Sequence, residues 1–350
     1  MKRKGVTRRE FMGEVAALSA VGVASSHALG GEKHQRKPVI RPPRLRPGDT
    51  VGLVCPASAP FEPSAIREGK MAMEKLGFKV KIGRNVGKKY GYLGGTDQER
   101  ATDVQEMFDD PQVKAIIALR GGYGCLRILN HLDYDHIRTH PKILLGYSDI
   151  TILLLAVHQM TGLVTFHGPV ALSTFSPYTV DLLQRVLMKD EPLGEIGEAP
   201  GALPLGVNGL SGRASGRLIG GNLTLVAASL GTPYEVDTDG RLLFLEEVGE
   251  EPYDIDRHLT HLLLAGKLDR AAGIALDRMQ RCGPRDYQPA FPTTLSVEEV
   301  ISDRLGHLGR PVVFGLSLGH AADKPTLPIG VMATLDAGKG RLSLDEPAVS

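Results

Sequence analysis

Leu144-Leu145-Gly146-Tyr147-Ser148-Asp149-Ile150-Thr151 decides the fold, because a run suited to a buried strand stops at Gly-x-Ser and a helical pattern begins at once. Residues 143–146 predict a strand and the strongly apolar 150–160 a helix. A serine at so tight a strand-to-helix turn projects its hydroxyl above the sheet, beside free N–H groups that favour negative charge. An acyl-transfer nucleophile needs that setting. The Gly-x-Ser-x-Gly elbow is incomplete, since Ile150 stands in place of the last glycine, and a serine here can equally serve as a plain helix N-cap.

Working outward, 50–54 is a short β-branched run ended by Cys55-Pro56-Ala57-Ser58, and 65–76 has helical spacing. A second strand is expected at 78–82, a helix at 98–108, and a third strand at 115–118 that runs into Arg120-Gly121-Gly122-Tyr123-Gly124. Residues 124–131 read as helical. Repeated strand–turn–helix units imply an α/β fold with a parallel sheet, and ligands then sit outside the carboxyl ends of its strands. The Gly-, Pro- and Leu-rich 191–212 reads as a connection between a domain at 48–190 and a second at 213–350. In the second, 216–230 reads as a turn and helix, 242–245, 273–276 and 311–314 as strands, and 255–265 as a helix. Residues 332–335 and 340–344 suggest a closing hairpin.

The 350 residues, 42% hydrophobic and 23% charged, fit two globular domains. Lys plus Arg number 41 against 40 Asp plus Glu, so no basic excess points to nucleic acid or an anionic membrane surface. A small molecule or peptide is the expected partner. Cys55, Cys125 and Cys282 are far apart and odd in number, and suggest buried apolar residues rather than disulfides or a metal site. Neither metal nor cofactor is expected.

The N-terminus differs from the rest. Lys2, Arg3, Lys4, Arg8 and Arg9 precede an apolar small-residue run at 15–23, the layout of a signal peptide. Thr7-Arg8-Arg9-Glu10-Phe11-Met12 resembles the twin-arginine motif that sends folded proteins across the bacterial inner membrane, so a twin-arginine translocase and a periplasmic location are expected. An uncleaved amphipathic anchor is the alternative. Ser26-His27-Ala28 offers a cleavage site, and removal of 1–28 leaves 36 basic against 38 acidic residues. The Pro-rich basic stretch that follows, to residue 47, reads as a tether. No run of about 20 apolar residues is present to span a membrane.

A serine nucleophile needs a base, and the loop histidine His320, after Gly315-Leu316-Ser317-Leu318-Gly319, is the leading candidate, with His167 its rival. A carboxylate must orient the base, and the strand at 242–245 ends in Glu246-Glu247, whose side chains alternate faces, so that only one can reach a given histidine. Spacing does not choose between them. The glycines of Arg120-Gly121-Gly122-Tyr123-Gly124 let backbone N–H groups approach a ligand, and with the Asp149 N–H could form an oxyanion hole. A phosphate loop fits less well, because neither Gly-x-Gly-x-x-Gly spacing nor Gly-Lys-Ser/Thr follows.

Together these segments resemble the LD-carboxypeptidase family, serine peptidases that trim murein tetrapeptides and include microcin C self-immunity peptidases. Pro56-Ala57-Ser58, Arg120–Gly124, Gly146-Tyr147-Ser148-Asp149, Thr165-Phe166-His167-Gly168-Pro169, the stretch 216–233, Phe244-Leu245-Glu246 and Gly319-His320 carry the resemblance. It implies a Ser148–Glu246–His320 triad, with Glu246 favoured over Glu247, and an oxyanion hole from the Gly122 and Asp149 backbones. It further implies a flavodoxin-like N-terminal domain, a smaller mixed α/β C-terminal domain, homodimers and no metal. The implied reaction cleaves the bond between the L-centre of a diamino acid and a terminal D-alanine. Arg120 and Tyr123 are the candidates for binding substrate. Peptidyl-nucleotide or other carboxamide substrates, or a non-catalytic muropeptide-binding role, are the competing readings.

Overall fold

A computed structural model describes residues 36–200, 205–206, 211–285 and 291–350. The expected signal peptide at 1–28, the first part of the tether and most of 201–210 lie outside the described residues. In chain order the first half supplies β1 (Thr50–Val54), α1 (Ser64–Lys75), β2 (Lys79–Ile82), α2 (Asp97–Asp109), β3 (Val113–Ala118), a 3-10 helix (Cys125–His131), α3 (Tyr134–Thr139), β4 (Ile143–Gly146), α4 (Ile150–Thr161), β5 (Thr165–His167) and α5 (Pro177–Met188). The second half supplies β6 (Gly194–Glu195), β7 (Leu205–Gly206), β8 (Arg213–Asn222), α6 (Leu223–Ala228), β9 (Leu242–Glu246), α7 (Pro252–Leu264), α8 (Lys267–Arg270), β10 (Gly273–Asp277) and α9 (Val297–Leu305). It closes with β11 (Val312–Leu316), β12 (Leu327–Ile329), β13 (Met332–Asp336) and β14 (Arg341–Leu344).

Five strands of the six-stranded first sheet run parallel in the order β2-β1-β3-β4-β5, which is the flavodoxin-like winding. Five of the six residues of β3 are buried, as a parallel strand covered on both faces requires. Helices start where the chain offers caps: Thr96 and Glu99 form a capping box on α2, and Ser176 caps α5 ahead of Pro177. The second sheet runs β6-β14-β13-β8-β9-β10-β11-β7, with β8 to β11 parallel and antiparallel strands at its edges. No helix among the described residues is long and apolar enough to cross a membrane.

Several segments differ from their sequence reading. Residues 216–222 continue a strand rather than forming a turn, because Gly216, Gly220 and Gly221 hide the β pattern while letting backbones meet. A Cβ on Gly220 would stand 1.9 Å from the Phe244 carbonyl oxygen, and one on Gly221 2.5 Å from Thr151. The segment read as helical at 124–131 is helical from Cys125 to His131 and of the 3-10 kind, with Gly124 at φ 126° and the Arg127 N–H on the Gly124 carbonyl. The described part of the tether packs against the body, where Leu45 is buried and bonded to Leu187 and Ile40 bridges Leu163. The stretch read as a connection contains β6 and β7, and β12 joins the first sheet antiparallel to β5, so the C-terminal half completes the N-terminal sheet.

Helix α4 locks the two sheets together. Ten of its twelve residues are buried, and its Thr151 hydroxyl accepts the Asn222 N–H from β8 at 3.1 Å. A helix apolar on every side must be enclosed, and each buried Leu or Ile contributes roughly 2 kcal/mol of transfer free energy. The close approach at Gly220 predicts that Gly220→Ala lowers unfolding free energy by roughly 3 kcal/mol or more in urea denaturation. A variant within about 0.5 kcal/mol of the parent would contradict that packing.

Candidate active site

Ser148 stands between β4 and α4 with φ 65°, the left-handed region that side-chain-bearing residues enter only under constraint. The constraint is visible next to it, where Ile150 packs so closely on Gly146 that a Cβ there would be 2.8 Å from the isoleucine. The N-cap alternative for Ser148 is not what the structure shows. Asp149 holds the N-cap position of α4, no side chain caps the helix, and Ser148 meets it only through its carbonyl, on the Thr151 N–H at 2.9 Å.

The glycine loop lies against this serine. A Cβ on Gly121 would be 2.9 Å from Ser148 Cβ and 3.1 Å from its Oγ, so only glycine admits this approach. Gly122, at φ 119°, presses on Ser58, whose hydroxyl accepts the Tyr123 N–H at 3.0 Å. The Asp149 carboxylate accepts the Cys125 N–H at 2.8 Å and thereby ties the loop to the elbow. Burial pushes the Asp149 carboxyl up, against the pull of the Cys125 and Gly124 amides. Arg100, almost fully buried, donates to the Pro56 and Gly124 carbonyls and joins the ends of β1 and the loop. The Gly122 and Asp149 amides thus sit in the two segments flanking Ser148, and neither donates to the carbonyls of turns and loops among the described residues.

Glu246 ends β9 and His320 follows β11. His320 Nδ1 lies 2.6 Å from Glu246 Oε2, with the glutamate fully buried and the imidazole 15% exposed. A carboxylate can only accept, so Nδ1 carries the proton, which in the neutral imidazole leaves the lone pair on Nε2. The histidine loop is fixed by three contacts: the Leu318 N–H donates to Asp277 Oδ1 at 2.8 Å, the Ser317 hydroxyl to the Asp323 carbonyl, and Gly319 rests on the Glu246 carboxylate. Glu247 points elsewhere. Its oxygens accept from Asn222 Nδ2, Val248 N–H, Thr224 N–H and the Thr224 hydroxyl, fastening the start of α6 to β9.

Tyr147 connects the two halves of the site. Its ring meets His320 edge-on at 4.8 Å between centroids, and Lys324 Nζ lies 5.3 Å from its centre. No hydrogen bond joins Ser148 Oγ to His320 among the described residues; the structure brings Glu246 and His320 together, and Tyr147, the residue before Ser148, is what meets the imidazole. His167 is a poor base: burial, with the nearby His320, pushes its imidazole down to about 3, and its ring packs on Phe244. Arg120 donates to the Ala59 carbonyl and stacks 4.0 Å over Phe61. Tyr123 is half exposed, edge-on to Tyr92 at 5.6 Å. No group of three or more metal-ligating side chains occurs among the described residues.

Sequence reasoning left three participants without a role. Ser58 lies in Pro56-Ala57-Ser58 after β1, Arg100 hides at a buried position of α2 beside Ala101 and Val104, and Asp277 ends an apolar strand as Glu246 does.

Two family models match this chain, the LD-carboxypeptidase N-terminal domain over residues 51–168 and the LD-carboxypeptidase C-terminal domain over 215–335. A probable murein peptide carboxypeptidase of Bacillus subtilis is 40% identical over 312 residues, 85% of this chain and 92% of the relative. The murein tetrapeptide carboxypeptidase of Pseudomonas aeruginosa is 33% identical over 302 residues, 83% of this chain and 94% of the relative. Among solved structures, the MccF protein in complex with glutamyl sulfamoyl guanosine superposes with a TM-score of 0.77 at 26% identity, covering 89% of this chain and 99% of that one. With an α/β fold shared with that solved structure and family matches across both halves, the chain belongs to the LD-carboxypeptidase family of peptidases.

Proposed function

We propose that this protein is a serine carboxypeptidase that removes the terminal D-alanine from murein tetrapeptides by cleaving its bond to the L-centre of the diamino acid. The observation that carries the reading is the 2.6 Å His320–Glu246 hydrogen bond, with the imidazole against Tyr147 of the strained strand-to-helix elbow that holds Ser148. Similarity to murein peptide carboxypeptidases supports the substrate class.

In this reading His320 Nε2 takes the Ser148 proton as the hydroxyl attacks the carbonyl, and Glu246 balances the charge on the imidazolium. The Gly122 and Asp149 amides receive the oxyanion, each worth on the order of 3 kcal/mol in the transition state. His320 then protonates the leaving D-alanine amine, and water, activated by the same imidazole, releases the acyl group from Ser148. Arg120 and Tyr123, at the rim of the glycine loop, are the candidates for contacting the peptide. Likeness to a protein solved with glutamyl sulfamoyl guanosine favours a second reading, a peptidase of peptidyl-nucleotides, on the same catalytic groups.

Purified protein lacking residues 1–28 should release D-alanine from murein tetrapeptide, and Ser148→Ala should lower kcat/KM by about 10⁴-fold or more. Undiminished release by the variant would remove Ser148 from the mechanism. Cleavage of an aminoacyl sulfamoyl nucleoside, with murein peptides inert, would favour the second reading.

The paired arginines Arg8 and Arg9 support a periplasmic encounter with these peptides after export by the twin-arginine route. Cell fractionation should find the mature protein in the periplasm and the Arg8→Lys/Arg9→Lys double variant in the cytosol. Full-length wild-type protein confined to the cytosol would contradict export.

A further inference from the structure

Behind the His320–Glu246 pair lies a second buried acid that the reaction described above does not use. Strands β9 and β10 are parallel neighbours with Leu245 beside Leu276, so Glu246 and Asp277, each the last residue of its strand, emerge side by side on one face. Parallel strands lie about 4.8 Å apart, which places the two carboxyls within reach of each other. Both residues are 0% exposed. One oxygen of each is engaged, Glu246 Oε2 with His320 and Asp277 Oδ1 with the Leu318 N–H. The other two, Glu246 Oε1 and Asp277 Oδ2, are buried without a hydrogen-bond partner.

Two adjacent buried carboxylates cannot both ionise cheaply, and a proton held between them relieves both the repulsion and the two empty acceptors. Burial pushes the Asp277 carboxyl up to about 7, against the pull of the Leu318 amide, and the charge on Glu246 adds to the rise. Other charged groups face the pair. Arg278 follows Asp277 in the chain, and the buried Lys324 lies within electrostatic range of both acids and of Asp323. Burial lowers Lys324's own affinity for its proton, so this cation only partly offsets a second negative charge.

We propose that Asp277 is a positioning residue for the reaction: as a neutral acid it accepts the Leu318 amide hydrogen bond on one oxygen and donates a hydrogen bond to Glu246 Oε1 from the other. The inference rests on the reading of Glu246 and His320 given above. A single shared charge then stands behind the imidazole, and the loop carrying His320, two residues beyond Leu318, is fixed by the same side chain. Deprotonation removes the donor, leaves two facing carboxylates, and loosens the support of His320.

Asparagine reproduces both hydrogen bonds at every pH and alanine neither. The readout is the rate at which a fluorophosphonate probe labels Ser148, measured from pH 5 to 9, which needs no assumption about the peptide substrate. Asp277→Ala should label about tenfold or more slowly, the cost of about one hydrogen bond in the transition state. Asp277→Asn should stay within about threefold of wild type near pH 6 and lose an alkaline fall that wild type shows above about pH 7.

Stability supplies a second readout. A folded-state carboxyl titrating near 7, against 3.8 in the reference state, makes wild type lose stability as pH rises between those values. Asp277→Asn should lack this component, so its thermal midpoint should gain on wild type from pH 4 to 7. Labelling of Asp277→Ala at the wild-type rate and pH profile would overturn the proposal, as would an Asp277→Asn variant as slow as the alanine one. Should the alanine variant not fold, the asparagine variant's pH profile decides alone. Wild-type labelling rates in Glu246→Gln and His320→Ala would instead overturn the assignment of the catalytic pair.

Discussion

Helix α4 buries ten of its twelve residues, including the runs Ile152–Val157, so it is stable only when both sheets close over it. That enclosure fixes where its N-terminus can be. The helix starts four residues after Gly146, the last residue of β4, and the chain makes the turn by forcing Ser148 into the left-handed region. The strain is sustained by packing on Gly146 and by Asp149, whose carboxylate grips the glycine loop across the elbow. Because β8 also rests on Thr151, the helix that presents Ser148 is keyed to the sheet that presents Glu246.

The second half of the site follows from strand ends. Parallel β9, β10 and β11 deliver Glu246, Asp277 and the His320 loop to one edge, where a backbone amide and an imidazole share the carboxyl oxygens. Burying two acids there is unfavourable unless one remains protonated, and the same burial shields the His320–Glu246 hydrogen bond from water. Gly319 completes the arrangement, since a side chain at that position would collide with Glu246.

Much of this was legible in the chain. Strands with uniform apolar character, such as Ile143–Gly146 and Leu242–Glu246, announced a parallel sheet, and the alternation with helices announced its winding. Glycine-rich segments were harder, because Gly220 and Gly221 obscure the period while their role, close backbone approach, exists only in three dimensions. Strand alternation stated that Glu246 and Glu247 diverge but not which one meets a histidine. Only the contacts separate them, Glu247 being occupied by Asn222 and Thr224. The left-handed Ser148 left no trace in composition, since Ile150 rather than glycine follows Asp149. Asp277 carried the same signal as Glu246, an acid closing an apolar strand, and its meaning depends on a neighbour 31 residues away.

In the proposed reaction Ser148 is acylated by the substrate. Intact-mass spectrometry of the protein acid-quenched within milliseconds of mixing with murein tetrapeptide, followed by peptide mapping, decides whether it is. Acylation of Ser148 predicts a transient adduct with the mass of the substrate less D-alanine, located on Ser148 and absent from Ser148→Ala. Turnover with no adduct at any time point in a variant slowed at deacylation, or an adduct on another residue, would contradict it.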